Sequence, residues 1–324
     1  MNTFLRLSLA TGLAAFTFHA QAFPNKPISM IVPYATGGST DGLARIVADS
    51  MGEALGATII VENYGGVGGV PGVQRFLRAK NDGHTIMLSN MGSFAIAPTL
   101  YPNMNFDPKT EISPIGLVAE VPMVLAVSEA SGVKDLPSLL QRMRDTSQST
   151  LTMGNGGPGG TGHIGGEYFL HLTNTNAELI PYRGTGPALV DIMGGTVDMI
   201  IDQTVALIPA SKGGRVIPLA VASPERIPQM PETPTFIEGG VPEFDMSVWN
   251  AIAVPKGTPE EHAQKLTQAL STALDSPKVK AALDSLGAQA PQDARRGPEE
   301  MNRLIHRDVD RFAKLIHDAG IPIN

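Results

Sequence analysis

The sequence contains no cysteine, which excludes a disulfide framework, a thiolate nucleophile and a lipid-anchored cysteine. Beyond the N-terminal segment it also lacks any run of about 18 to 20 apolar residues, the length a membrane-spanning helix needs. Positive charge is scarce: 24 Lys and Arg face 31 Asp and Glu, a net of −7, which argues against nucleic acid or an anionic membrane surface as partner. An anionic ligand would have to be held by local donors against that field. Catalytic signatures are missing too: there is no G-x-S-x-G elbow, no H-E-x-x-H, no Walker lysine turn and no S-x-x-K near a plausible pocket. The chemistry therefore points to holding a ligand, not turning it over.

Residues 1–22 differ from the rest. Arg6 is their only charge, Leu7 to Phe18 is mostly apolar, and Ala20-Gln21-Ala22 fits a small-x-small cleavage pattern. The expectation is an export signal cut after Ala22, leaving a freely diffusing monomer that starts at Phe23. Losing Arg6 moves the net charge from −7 to −8. About 300 residues usually make two domains, and no internal repeat of short period is visible.

The stretch Ile28 to Asp41, ISMIVPYATGGSTD, organises the chain. Met30, Ile31 and Val32 read as a buried strand, Gly37 and Gly38 as a tight turn, and Leu43, Ile46, Val47, Met51 and Leu55 follow at helical spacing. A helix start offers unpartnered N–H groups and a partial positive charge. Gly38 lets a ligand come close, and the hydroxyls of Thr36, Ser39 and Thr40 add donors, so the turn can capture a small anion. An ordinary βα turn is the competing reading.

Strands at Thr58–Glu62 and Thr85–Ser89 alternate with a helix at Pro71–Ala79. This predicts an α/β fold with a mainly parallel sheet flanked by helices, ligands sitting beyond the strands' carboxyl ends. Ser89, Asn90 and Ser93 fall at that same edge. Ile115 to Val127 reads as two strands broken at Glu120-Val121-Pro122, one leaving the first domain and one entering the second. A later strand at VWNAIAVP and three C-terminal helices return the chain. The domains expected are 23–122 plus 247–324, and 123–246, with two crossings forming a hinge.

The second glycine turn is Leu151 to His163, LTMGNGGPGGTGH. Gly157 to Gly162 matches G-x-G-x-x-G, but glycine is abundant here and Glu178 lies before its apolar run, so an anion-binding turn fits better than a dinucleotide site. Asp202 follows the apolar run MII, where it would either accept from a ligand hydroxyl or amine or cap the next helix. His163, Glu167 and His171 are spaced four apart, yet solvated or capping histidines are commoner than metal ligands in such a pattern. Tyr182 and Arg183 follow a strand and could reach a ligand there, a surface ion pair being the alternative role for Arg183.

The segments FPNKPISMIVPYATGGSTDGLAR, VENYGGVGGVPG, PYRGTGPALVDIMGGTVDMIID and WNAIAVPKGTP together resemble the periplasmic solute-binding receptors of tripartite tricarboxylate transporters, the Bug family. The resemblance covers essentially the whole chain after the signal segment. It implies a periplasmic two-domain Venus-flytrap protein that closes on a small organic carboxylate (a di- or tricarboxylate, aromatic acid or amino acid) and delivers it to membrane permease subunits. No cofactor and no metal are implied. The family grips a carboxylate between two βα turns, here Tyr34 to Asp41 and Asn155 to His163. That assigns Tyr34, Asn155, Gly159, Gly160 and Thr161 to the ligand, with Ser89 to Phe94 and Asp202 at the distal end. A small hydroxyl residue is usual near Gly160, and Thr161 would stand in for it. The alternative expectation is a periplasmic hydrolase or lyase acting on a small carboxylate in the same cleft; an oxidoreductase binding a dinucleotide is a weaker third.

Overall fold

In the computed structural model, residues 23–323 are described; the expected export signal lies outside them. β1 (Ile28–Val32) lies between β2 (Ile59–Asn63) and β3 (Thr85–Asn90), pairing with both in parallel. Its nearly complete burial is what a strand covered on both faces requires. α1 (Ser39–Leu55) links β1 to β2, and α2 (Val70–Leu77) links β2 to β3. On α1, Leu43, Val47 and Met51 recur every four residues and are fully buried, so the helix lays one apolar stripe on the sheet. After β3 a buried turn at Gly92–Ile96 leads into the short α3 (Ala97–Leu100).

β4 runs unbroken from Ile112 to Ser128. This corrects the expectation of two strands. Its first part pairs antiparallel with β9 (Ser247–Pro255) as far as Pro122 opposite Ser247. From Met123 onward it pairs with β7 (Met199–Gln203) and β8 (Val216–Val221). Pro122 falls where one partner is exchanged for the next, the place in a ladder where a missing N–H costs least.

The second lobe continues with α4 (Leu136–Arg144), whose first turn is capped by Asp135 accepting from Ser138 N–H at 2.8 Å. Next come β5 (Thr152–Asn155), α5 (Thr161–Thr173), β6 (Glu178–Pro181), α6 (Thr185–Met193), β7, α7 (Thr204–Ser211) and β8. β5 pairs in parallel with β6 and β7. The strand order is β2-β1-β3-β9-β4-β7-β5-β6, with β8 on β4. The sheet is thus mixed: its outer strands are parallel as expected, whereas β4 carries the chain from one lobe to the other and β9 brings it back, so those two run antiparallel.

α8 (Glu260–Asp275), α9 (Pro277–Ser285) and α10 (Pro298–Asp318) complete the first lobe. α8 packs on α1, and α10 covers β4 and the Gly92–Ile96 turn. Trp249 stacks on Phe94 with centroids 6.0 Å apart, and its indole N–H donates to buried Asp308 at 2.6 Å. That bond fixes α10 to the returning strand.

Candidate functional site

The carboxyl ends of β1, β3, β5 and β7 converge on one small cavity of about 20 Å³, room for about one water. Its walls are Tyr34, Gly38, Ser39, Thr40, Asn90, Gly156, Gly160, Thr161, Gly162, Thr185, Asp202 and Gln203. None of these is basic.

The first wall is the turn after β1. Gly37 takes φ +82°, a conformation glycine adopts without a Cβ penalty, and its N–H donates to Asp41 Oδ2 at 2.9 Å. Burial alone would raise the Asp41 pKa, but Arg45, the Gly37 N–H and Asn63 together hold it below the usual carboxylate value. Asp41 therefore braces the turn, and the start of α1 at Ser39 has no side-chain cap. Beside it Tyr34 donates to Asn90 Oδ1 at 3.3 Å and lies 3.0 Å from Ser93 Oγ; Asn90 Nδ2 donates to Thr40 Oγ1 at 3.0 Å. Burial pushes the Tyr34 pKa up, so the phenol stays neutral.

The second wall is the turn after β5. Asn155 Oδ1 accepts from Gly157 N–H at 2.9 Å, Gly157 and Gly159 have φ +104° and +82°, and α5 begins at Thr161, again without a side-chain cap. A Cβ on Gly162 would meet Ile201 O at 2.8 Å, so this glycine lets α5 pack close to β7. The third wall is the start of α6 at Thr185, also uncapped. Three helix N-termini without side-chain caps thus border one cavity.

Asp202 lies in the floor, 3% exposed. Its Oδ1 accepts from Ser39 Oγ at 2.8 Å and Gln203 N–H at 2.7 Å, and its Oδ2 accepts from Thr185 Oγ1 at 2.5 Å. Burial raises its pKa, and the hydroxyls of Thr185 and Ser39 with the Gln203 N–H pull it part of the way back. Ser39 belongs to the first lobe and Asp202 to the second, so this bond spans the cleft. The lips also touch: Ala35 N–H donates to Arg183 O at 3.2 Å, and Tyr101 Oη to Pro158 O at 3.0 Å. A Cβ on Gly186 would lie 2.1 Å from Thr36 O.

Of the residues singled out in the sequence, Tyr34, Gly38, Ser39, Thr40, Asn90, Gly160, Thr161 and Asp202 line the cavity. Thr36, Ser89, Ser93, Asn155 and Gly159 lie outside its lining. Thr36 is exposed on the lip. Ser89 precedes Asn90 in β3 and is fully buried beside the Tyr34 phenol. Ser93 is engaged with Tyr34, Asn155 with Gly157, and the Gly159 N–H donates to His163 Nδ1 at 3.4 Å. His163 Nε2 lies 3.8 Å from Glu167 while His171 is exposed, and no group of three metal-ligating side chains forms among the described residues. Burial pushes the His163 pKa down to about 4.

Thr185 and Gln203 were missed. Gly184-Thr185-Gly186 before the α6 residues repeats the glycine and hydroxyl signature of the first turn, and would have found Thr185. Gln203 gave no signal, because the run MII was read as ending the strand, whereas β7 extends through Gln203.

Two α/β lobes joined by crossing strands, with a polar cavity between their strand ends, define a periplasmic binding protein of the two-domain type. Among solved structures the chain resembles the periplasmic binding protein BugD, at 35% identity and TM-score 0.89, covering 93% of this chain and 99% of that one. It also resembles MatC of Rhodopseudomonas palustris, solved with malate, at 32% identity and TM-score 0.86 over 91% and 100%. A second R. palustris protein, solved with adipate, matches at 30% and 0.87 over 93% and 99%. Protein BugT of Bordetella pertussis is 31% identical over 96% of this chain and 95% of its own. Residues 43–321 match the tripartite tricarboxylate transporter family receptor, and the chain belongs to that family.

Proposed function

We propose that the protein is a periplasmic receptor that captures a small organic carboxylate between its lobes and presents it to the membrane permease of a tripartite tricarboxylate transporter. The observation that carries this is the convergence of three uncapped helix starts, from both lobes, on one cavity walled by hydroxyls and amides and by no basic side chain. Such a site holds an anion by aligned N–H groups, each charge-assisted bond contributing about 1.5–3 kcal/mol. A handful leaves about micromolar affinity after ordering costs. Malate and adipate in the two R. palustris relatives support a carboxylate as cargo.

On this reading 23–122 plus 247–324 and 123–246 move as two bodies, β4 and β9 bend between them, and the monomer reaches the periplasm with residues 1–22 removed. Closure is selected because only the closed form gives a carboxylate donors from both lobes. The test is a thermal-shift screen against carboxylic acids, followed by calorimetry of the best ligand. One-to-one binding with a raised melting temperature and no product is expected. Turnover of the bound acid, or no stabilisation by any acid, overturns the reading.

A further inference from the structure

Gln203 ends β7 in the second lobe and lines the cavity, 1% exposed. Its Oε1 accepts from Asn250 Nδ2 at 2.8 Å. Asn250 stands on β9 in the first lobe, fully buried and outside the cavity, and its Nδ2 also donates to Val248 O at 3.2 Å. These two bonds fix both amides. Turning Asn250 over would set its Oδ1 against the Val248 carbonyl, acceptor against acceptor. With Nδ2 held there, Gln203 must offer Oε1 to Asn250, and its NH₂ is left for the cavity. This polarity is kept although Asn250 Oδ1 is buried with no hydrogen-bond partner. A buried orphan acceptor is uncommon and calls for an explanation.

We propose that Gln203 is a specificity-determining donor that reads a second acceptor atom on the ligand, and that Asn250 is the positioning residue that sets its polarity. This rests on the carboxylate-receptor reading and adds to it. The helix starts take one carboxylate, whereas Gln203 selects acids that carry a second acceptor. Asp202 beside it can only accept while ionised, so donor and acceptor stand side by side and a ligand must match both. Discrimination of this kind comes chiefly from the cost of leaving a buried polar group unpaired when the wrong ligand binds.

The test compares matched pairs by calorimetry: succinate with butyrate, glutarate with pentanoate, and adipate with hexanoate. Gln203→Met keeps length and removes the donor. It is expected to weaken the tightest-binding diacid about tenfold or more while leaving its monoacid partner within about twofold. Asn250→Asp offers only acceptors while ionised, so Gln203 turns its NH₂ inward and its Oε1 to the cavity; the diacid-over-monoacid preference falls there too, in a protein whose melting is followed in parallel. In the wild type, the ¹⁵N signal of the Gln203 side-chain amide shifts on adding the diacid and stays in place with the monoacid. Equal losses for diacid and monoacid in Gln203→Met, or no loss for either, overturn the assignment and leave the carboxylate reading standing. Failure of the wild type to bind any of the six acids while another carboxylate binds overturns the assignment alone; failure to bind any carboxylate overturns both.

Discussion

Ser39 has one proton to donate, and in the closed cleft it goes to Asp202. A ligand carboxylate entering the same space competes with a carboxylate the protein already holds, and hydroxyls of both lobes decide the outcome. Replacing Ser39 and Thr161 together by Ala is expected to weaken carboxylate binding more than about tenfold while the circular dichroism spectrum stays unchanged; undiminished affinity in calorimetry would reject this grip. His163 supplies a second prediction at this scale. Its folded pKa of about 4 lies below its ordinary 6.5, so between those values the unfolded chain binds a proton that the native state excludes. Stability is therefore full above about pH 6.5 and falls as pH drops toward 4. At about pH 5 the loss from this residue is on the order of 1–2 kcal/mol. His163→Asn keeps an acceptor for the Gly159 N–H, and urea midpoints at pH 7 and 5 should differ less in the variant than in the wild type. An identical pH slope would contradict the burial argument.

At the scale of elements, the site is a set of helix starts that no side chain caps, held against one another by glycine. Gly186 shows this best, because alanine near the start of a helix normally favours the helix by a few tenths to about 1 kcal/mol. Here an added Cβ would sit 2.1 Å from the backbone oxygen of Thr36 on the opposite lip. Gly186→Ala is expected to melt at or above the wild-type temperature yet bind carboxylate at least about tenfold more weakly, with a larger radius of gyration in scattering with ligand present. Unchanged affinity would show that the lips need not meet. The first two helix starts are legible in the sequence because glycine, hydroxyl and apolar periodicity occur together at Gly37 to Leu43 and at Gly157 to Ile164. The third, at Gly184 to Leu189, carries the same glycine and hydroxyl pattern and is equally legible. Asp202 leaves two roles open in the sequence; in the structure it accepts hydrogen bonds from the hydroxyls of Ser39 and Thr185, and the start of α7 has no side-chain cap. That Ser93 is taken up by Tyr34 is not encoded locally.

For the whole molecule, the decisive feature is a single long strand where the sequence suggested two. The apolar runs on either side of Glu120-Val121-Pro122 are equally good strands, and nothing local says that the backbone continues through Pro122; only the exchange of partners, β9 for β7 and β8, shows it. Continuity matters for the proposed function, since on that reading β4 and β9 are the strands across which closure bends. The chain is acidic overall while the proposed ligand is an anion, so on that reading local N–H groups and hydroxyls, not the global field, supply the attraction, and binding should depend only weakly on salt. Raising sodium chloride from about 0.05 to 0.5 M should change carboxylate affinity by less than about threefold; a loss of tenfold or more would point to basic side chains instead.

The most direct test of the account is an amide NMR titration of the ¹⁵N-labelled protein with its best carboxylate. The account predicts that the N–H signals of Ser39 and Thr40 in one lobe and of Thr161, Gly162 and Thr185 in the other shift together and saturate at the same ligand concentration, and that the corresponding primary amide of the ligand leaves them in place. Shifts confined to one lobe, or two lobes saturating at different concentrations, would contradict a carboxylate held between them.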